Sequence, residues 1–244
     1  MTAQIQAELL KVRSTRTTAG LALGMVALIL LFVMLTAFLS HAADLETADN
    51  QRNLFGIGSF AGVFSALAGI LLVTGEYRFG TIRPTFLFTA RRSTVMAAKV
   101  AAGMLAGLVL AVVGEALSVG IGDAILSGRG ISVTLDRGDL GLLTLGTLLG
   151  TALWGGIGVG LGAIVRNQVA AVIGLLAWGF VVENLLFALA PSVGRLTPGQ
   201  AQNGLMGMTT DHLLSAGPAA VVLIVWTAAL VVGGAALTAR RDVN

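Results

Sequence analysis

Residues 19–39 read AGLALGMVALILLFVMLTAFL, an apolar run without a single charged side chain. A helix needs about 20 such residues to cross the hydrocarbon core of a membrane, so the run predicts a transmembrane helix. The run is longer than the apolar part of an ordinary secretory signal peptide, which favours a span over a cleaved leader. The chain is therefore expected to be an integral membrane protein.

Five more apolar runs follow in the rest of the chain. With 56% hydrophobic residues, 11% charged residues and a mean hydropathy of +0.90, the composition lies outside the range of soluble domains. All six spans should be helices, since a backbone in lipid must satisfy its own hydrogen bonds and the alternation of a membrane barrel is missing. We expect an all-α polytopic domain over residues 1–244, with spans at 19–39, 54–73, 100–126, 140–165, 169–190 and 218–238.

The basic residues predict the orientation of these spans. If the N-terminus is cytoplasmic, eleven of the fifteen Lys and Arg residues fall on the inner side, as the positive-inside rule requires. Both termini of this multi-pass protein of the cell (plasma) membrane should then be cytoplasmic. The pI of about 10.2 reflects this topology, so no nucleic-acid partner is expected.

Motifs for catalysis are missing from the sequence. There is no Cys, only two His, and no Gly-Lys pair, which excludes Cys-ligated metal, H-E-x-x-H zinc chemistry and a Walker A loop. Residues 120–123 read GIGD, a pattern of intramembrane aspartyl proteases, but such chemistry needs a second carboxylate facing the first. Glu115 lies on the same predicted helix as Asp123 and cannot converge on it. We predict no catalytic residue, no metal site and no cofactor bound by this chain, which is not expected to be an enzyme.

Two segments outside the spans have an amphipathic pattern. In residues 1–18, Ile5, Leu9 and Val12 recur at helical spacing, which predicts an amphipathic helix on the inner membrane surface, with a frayed polar tail as the alternative. Residues 191–217 mix turn residues with apolar ones. This outer segment is expected either to re-enter the membrane or to form an ordinary surface loop.

Residues 74–99, TGEYRFGTIRPTFLFTARRSTVMAAK, form a cytoplasmic connection that is far longer than a turn requires. Five basic residues lie in it, although two or three would be enough to keep the connection on the cytoplasmic side by the positive-inside rule. Thr81 could cap a short helix that has Pro84 in its first turn and a basic pair at its end. A short helix with exposed aromatic residues at the membrane surface is suited to docking another protein.

The run from Gly75 to Lys99 resembles the connection between spans two and three of ABC (ATP-binding cassette) permeases of the type-2 integral membrane family. The likeness rests on the E-Y-R-x-G-T start, the basic pair and the closing Ala-Lys, and it extends to the basic N-terminal helix and the six spans. It implies an exporter subunit that pairs with a second permease subunit, like or mixed, and with ATPase subunits that bind ATP and Mg. It also implies that the connection forms a coupling helix seated on the ATPase, with these coupling residues: Glu76, Tyr77, Arg78, Gly80, Thr81, Arg83, Arg91 and Arg92.

The fifth span carries a polar stripe. Phe180, Glu183, Asn184 and Phe187 have the i, i+3, i+4, i+7 spacing of one helix face, and an intramembrane carboxylate marks a functional site by default. Glu115 lies at a similar depth, so both carboxylates should face the bundle interior. The resemblance implies that spans two and five border the substrate path, which adds Phe60 and Phe64. The competing interpretation is a protonated Glu183 that hydrogen-bonds a neighbouring helix.

Two other function classes stay open. A secondary transporter could be driven by protons through Glu115 and Glu183. A structural membrane anchor would explain neither the intramembrane carboxylates nor the long connection. The substrate is open among a hydrophobic drug, a lipid and a peptide.

Overall fold

A computed structural model describes residues 2–81 and 92–240 of the chain. Within those ranges the chain is helical with no strand, and six helices are long and apolar enough to cross a membrane, which confirms the all-helical class and the six candidate spans. The helices are α1 (Thr2–Ser14), α2 (Arg16–Leu39), α3 (Ala42–Leu45), α4 (Ala48–Gly56), α5 (Ala61–Arg78), α6 (Arg92–Gly128), α7 (Arg137–Val165), α8 (Gln168–Ala177), α9 (Glu183–Leu189), α10 (Pro191–Gly194), α11 (Pro198–Leu205) and α12 (Ala216–Arg240).

Several spans extend beyond the apolar runs that predict them. The second span combines α4 and α5 into Ala48–Arg78, and the third covers Ser93–Gly128. A helix can continue through polar residues that lie outside lipid, so apolar length marks only the middle of each span. Polar caps start three spans: Thr47 accepts the Asn50 N–H before α4, Asp136 accepts the Asp139 N–H before α7, and Asn167 accepts the Ala170 N–H before α8.

The second and fourth spans form the centre of the bundle. In each, 61% of the apolar stretch is buried, against 11% to 28% in the other four. Glycines of α7 allow this packing, because a β-carbon at Gly155, Gly158 or Gly160 would collide with a neighbouring backbone. Their neighbours are, in that order, Gly103 of α6, Ala66 of α5 and Leu230 of α12. The close packing of the fourth span thus involves three partner helices.

The second span is interrupted by a 3₁₀ turn, Ile57–Phe60, between α4 and α5. Gly58 in this turn lies against Glu115 and Ser118 of α6, where a side chain would not fit. The Ser118 hydroxyl donates a hydrogen bond to the Phe55 carbonyl at 2.8 Å. The carbonyl just before the break therefore finds its hydrogen-bond partner inside the bundle, as backbone groups at a helix interruption within a membrane must.

The fifth span contains a π-helical segment, Trp178–Val182, between α8 and α9. The wider turn leaves carbonyls without their usual α-helical partners, and the Asn184 amide donates to the Gly179 and Phe180 carbonyls at 3.2 Å and 3.1 Å. Such segments inside α-helices frequently occur at functional sites. This one directly precedes Glu183.

The segment at 191–217 contains the short helices α10 and α11. Gln200 and Gln202 of α11 are buried, and α11 contacts α7, α9 and α12. The Trp226 indole N–H of α12 donates to the Leu196 carbonyl at 2.8 Å. The segment is therefore packed into the bundle, while its re-entry into the membrane stays a prediction.

The N-terminal segment is a helix, α1, which contacts α5 and α6. The apolar positions of its predicted stripe, Ile5, Leu9 and Val12, are half-buried, yet the residue that is fully buried on this helix is Glu8. One polar residue of α1 is thus packed inside the protein, and the position of the helix on a membrane surface stays a prediction. The short helix predicted after Thr81 lies outside the described residues.

Replacing Gly158 by Ala should destabilise the protein. The new methyl group would meet the Ala66 backbone, which cannot rotate away, and overpacking of this kind costs about 1–3 kcal/mol. The matched control is Gly174→Ala in α8, where no atom lies within 4 Å of the added carbon. Thermal unfolding in detergent should show a lower melting temperature for Gly158→Ala than for the parent protein. The control should melt at the same temperature as the parent. Equal melting temperatures would contradict the packing described for α7.

Candidate coupling and substrate sites

Four charged side chains form a cluster at the end of the bundle that carries α1. The Lys99 amine of α6 lies 3.0 Å from Glu8 Oε2 and 2.8 Å from Glu76 Oε1. The Lys11 amine lies 3.0 Å from Glu8 Oε1 and 2.6 Å from Glu76 Oε1. Each lysine therefore contacts both carboxylates. We call Glu8, Lys11, Glu76 and Lys99 the α1 cluster.

The α1 cluster is mostly buried, so its charges depend on one another. The side chain of Lys99 is 2% exposed, and those of Glu8 and Glu76 are 6% and 7% exposed. The Lys99 amine also donates to the Leu72 carbonyl at 3.3 Å. Burial alone would disfavour the charge on Lys11, but its hydrogen bonds to Glu76 and Glu8 and their negative charges outweigh burial and raise the pKa of its amine.

The α1 cluster joins three separate parts of the chain. Glu8 and Lys11 lie on α1, Glu76 lies in the last turn of α5, and Lys99 lies in the second turn of α6. The segment 82–91 runs between α5 and α6. Ion pairs therefore fix the two helices that lead into and out of this segment to the N-terminal helix.

Other predicted coupling residues lie beside the cluster. The Arg166 guanidinium stands over the Tyr77 ring at 5.1 Å, and Arg78, which is exposed, donates to Gln168 Oε1 at 3.4 Å. Gly80 has a φ of 69°, a left-handed conformation that favours glycine after the end of α5. Thr81 is exposed. Of the remaining predicted residues, Arg83 and Arg91 lie outside the described residues, and Arg92 is described only as the first residue of α6.

Glu76 differs from the surface position that its polar sequence context predicts. It is 6% exposed and bonded to both lysines, so changing it would disturb folding as well as any docking role. Arg78 and Thr81 are exposed and line a cavity of about 630 Å³ at the same end of the bundle. These two residues, unlike Glu76, are accessible to a partner.

A second cavity, of about 320 Å³, lies near the other end of the bundle. It is bordered by the second span, by Trp154 of α7, by the fifth span and by α11. Glu183 is 1% exposed and lines this cavity; its Oε2 accepts the Gly199 N–H at 2.7 Å, while its Oε1 has no hydrogen-bond partner. We call this space the Glu183 cavity. Its lining also includes Ser59, Phe60, Val63, Phe180, Asn184, Gln200, Gln202 and Asn203.

The structure brings four of the predicted path residues together, namely Phe60, Phe180, Glu183 and Asn184. The other three lie elsewhere. Glu115 is buried and accepts a hydrogen bond from the Thr144 hydroxyl at 3.0 Å, but it does not line the Glu183 cavity. Phe64 packs in the apolar core near Gly24, and the backbone of Phe187 lies against Gly194 of α10.

Sequence reasoning missed several residues of both sites. Lys99 was counted only among the basic residues that set topology, and Glu8 was given no role, because nothing local shows that they meet. The sequence did contain a signal that Lys11 and Lys99 have a special role, since they are the only lysines in a chain with thirteen arginines. Gln202 of α11 was missed because its partners come from the second and fourth spans, and its amide lies against Gly62 and Gly150.

No protein-family model and no curated protein matches this chain. The functional argument therefore rests on the geometry of the α1 cluster and of the Glu183 cavity. Among the described residues, no group of three or more His, Cys, Asp and Glu side chains is arranged to hold a metal ion.

Replacing Lys99 by Met should strongly destabilise the protein and release α1. The substitution keeps much of the side-chain volume but leaves two buried carboxylates with a single lysine, and breaking a buried ion pair costs about 3–5 kcal/mol. The measurements are thermal unfolding and the rate of trypsin cleavage after Arg13. Arg129→Met, which removes an exposed cation, is the control. A Lys99→Met protein as stable and as resistant to trypsin as the control would show that the cluster does not hold α1.

Proposed function

We propose that this chain is the transmembrane permease subunit of an ABC exporter. It would move a substrate across the cell membrane with ATP hydrolysed by a separate ATPase subunit. In this proposal the ATPase docks on the connection between α5 and α6, both termini are cytoplasmic, and a second permease subunit, like or mixed, completes the path. ATP and Mg would be bound by the ATPase and not by this chain.

The observation that carries the proposal is the position of the α1 cluster. Glu76 and Lys99 lie on the two helices that flank the connection, and both are bonded to α1. A partner that pushes on the connection would act on a unit held by buried charges, so the force would reach α5 and α6 with little local bending. The resemblance of residues 75–99 to a coupling connection supports the same role.

The second span connects this end of the bundle to the Glu183 cavity, so that it can transmit a movement from one to the other. Glu76 lies at one end of α5, and Ser59, Phe60 and Val63, near its other end, line the cavity. Because α5 packs closely on α7, a displacement of α5 would move a wall of the cavity relative to Trp154. Closure of the ATPase could thereby alternate the access of substrate to the path.

A proton-coupled secondary transporter is the second candidate. It is favoured by two carboxylates, Glu115 and Glu183, that are buried within spans and each leave one oxygen without a hydrogen-bond partner. Transport that continues without any ATPase and stops when the proton gradient collapses would support this candidate against the permease.

The proposed orientation can be tested with single cysteines, because the chain has none of its own. Cysteines replacing Asp49, Gly130 and Gln200 should react with a membrane-impermeant thiol reagent added to intact cells. A cysteine replacing Ser93 should react only after the cells are opened. Gln200 is 8% exposed, so Asp49 and Gly130 are the more decisive outer positions. Labelling of Ser93→Cys in intact cells would overturn both the orientation and the coupling role.

The coupling role predicts a defect in Arg78→Ala and Arg83→Ala that is separate from stability. The test looks first for an ABC ATPase encoded by a neighbouring gene, then co-expresses it with the tagged chain and measures co-purified ATPase and ATP hydrolysis. Arg78 is exposed, and surface substitutions usually change stability by no more than about 0.5 kcal/mol, so Arg78→Ala should melt like the parent. Both variants should retain less ATPase, and the melting temperature of each is measured beside it. Arg129→Ala, an exposed arginine at the opposite end, is the control. Full ATPase retention by both variants, or a parent chain that retains none, would contradict the proposal.

A further inference from the structure

We propose that the Glu183 cavity binds the positively charged ammonium group of an organic substrate. This inference rests on the proposed transport function, since it names the chemical class of the molecule that the path would carry. It concerns the side chains around the cavity and does not depend on the α1 cluster.

The first argument is the charge of the site. Glu183 lies in the fifth span and forms no ion pair with any described Lys or Arg, and Arg195, the basic residue closest to it in sequence, is exposed. An ionised carboxylate at such a position is costly unless a cation or water faces it. The α1 cluster shows the contrast, because each of its buried carboxylates has two lysines. A cationic ligand would supply the missing partner of Glu183.

The second argument is hydrogen-bonding capacity left unused in the cavity lining. Glu183 Oε1 is buried and has no partner, although almost all buried polar atoms in proteins do. Glu183 Oε2 is already held by the Gly199 N–H at 2.7 Å. The carboxylate is therefore fixed in place, and its other oxygen is left to face a cation.

The third argument is the size and chemistry of the walls. At about 320 Å³ the cavity is much larger than a metal ion, and Glu183 is the only carboxylate among the described residues that line it. Three of its walls are the aromatic residues Phe60, Trp154 and Phe180. Aromatic faces attract ammonium groups and also accept the apolar part of an organic molecule. An organic cation fits this lining better than a metal ion, which needs several oxygen ligands.

The fourth argument is the local backbone. The π-helical segment Trp178–Val182 lies between α8 and Glu183, and the Asn184 amide donates hydrogen bonds to the carbonyls of Gly179 and Phe180. The irregular turn is thus held in place directly beside the carboxylate. Gly199 completes the arrangement, since a β-carbon there would occupy the position of Glu183 Oε2.

The test measures binding of benzyltrimethylammonium to the purified chain in lipid nanodiscs, by equilibrium dialysis and without any ATPase. We expect saturable binding that a second quaternary ammonium displaces. Neopentylbenzene, which has the same shape with carbon in place of nitrogen, should not displace it. Glu183→Gln, which keeps the size but removes the charge, should weaken binding by about tenfold or more, as expected when a desolvated charge pair is lost. Asp123→Asn removes an exposed carboxylate of α6 and should bind like the parent.

Three outcomes would overturn the inference: no saturable binding, displacement by neopentylbenzene, or equal affinity of the parent and a correctly folded Glu183→Gln protein. If Glu183→Gln does not fold, competition on the parent chain decides the question alone. The ATPase plays no part in this assay. A chain that retains its ATPase but binds no ammonium would therefore disprove the substrate class and leave the permease function standing. A chain that binds ammonium but retains no ATPase would disprove the permease function and leave ammonium binding standing.

Discussion

The backbone of α7 approaches α5, α6 and α12 so closely that side chains are excluded at Gly155, Gly158 and Gly160. In lipid the hydrophobic effect gives no reason for helices to associate, so close packing of this kind has to supply the attraction. The remaining features depend on it. It places the second span in the middle of the bundle, with Glu76 at one end of that span and the lining of the Glu183 cavity at the other.

Buried charge is treated in two different ways within this fold. In the α1 cluster two lysines and two glutamates neutralise one another, and the cluster joins three chain segments. At Glu183 the carboxylate is buried without a described cation and keeps an unpartnered oxygen beside a cavity. Charges that neutralise one another favour a fixed structure, whereas a buried carboxylate without a counter-charge favours the binding of a cation. The first arrangement suits the transmission of force and the second suits the recognition of a substrate.

The two interrupted spans border the same cavity. The second span has its 3₁₀ turn at Ile57–Phe60, and the fifth has its π-helical segment at Trp178–Val182. Ser59 and Phe60 from the first and Gly179 and Phe180 from the second line the Glu183 cavity. Irregular backbone within a membrane is tolerated where protein or a cavity covers it. Both interruptions meet that condition, because Ser118 and Asn184 satisfy the carbonyls concerned.

The sequence by itself determined the six candidate spans and the helical class, because apolar length and composition are local properties. It also singled out Phe180, Glu183 and Asn184, since helical spacing places residues on one face without knowledge of their neighbours, while Phe60 was added by the family resemblance. Only the tertiary structure decided which charges meet, that Glu76 is buried with Glu8 and both lysines, and that Glu115 and Phe187 lie away from the Glu183 cavity. Such contacts join residues far apart in the chain, and they depend on how α7 packs against the other helices. No periodicity within a single segment encodes them.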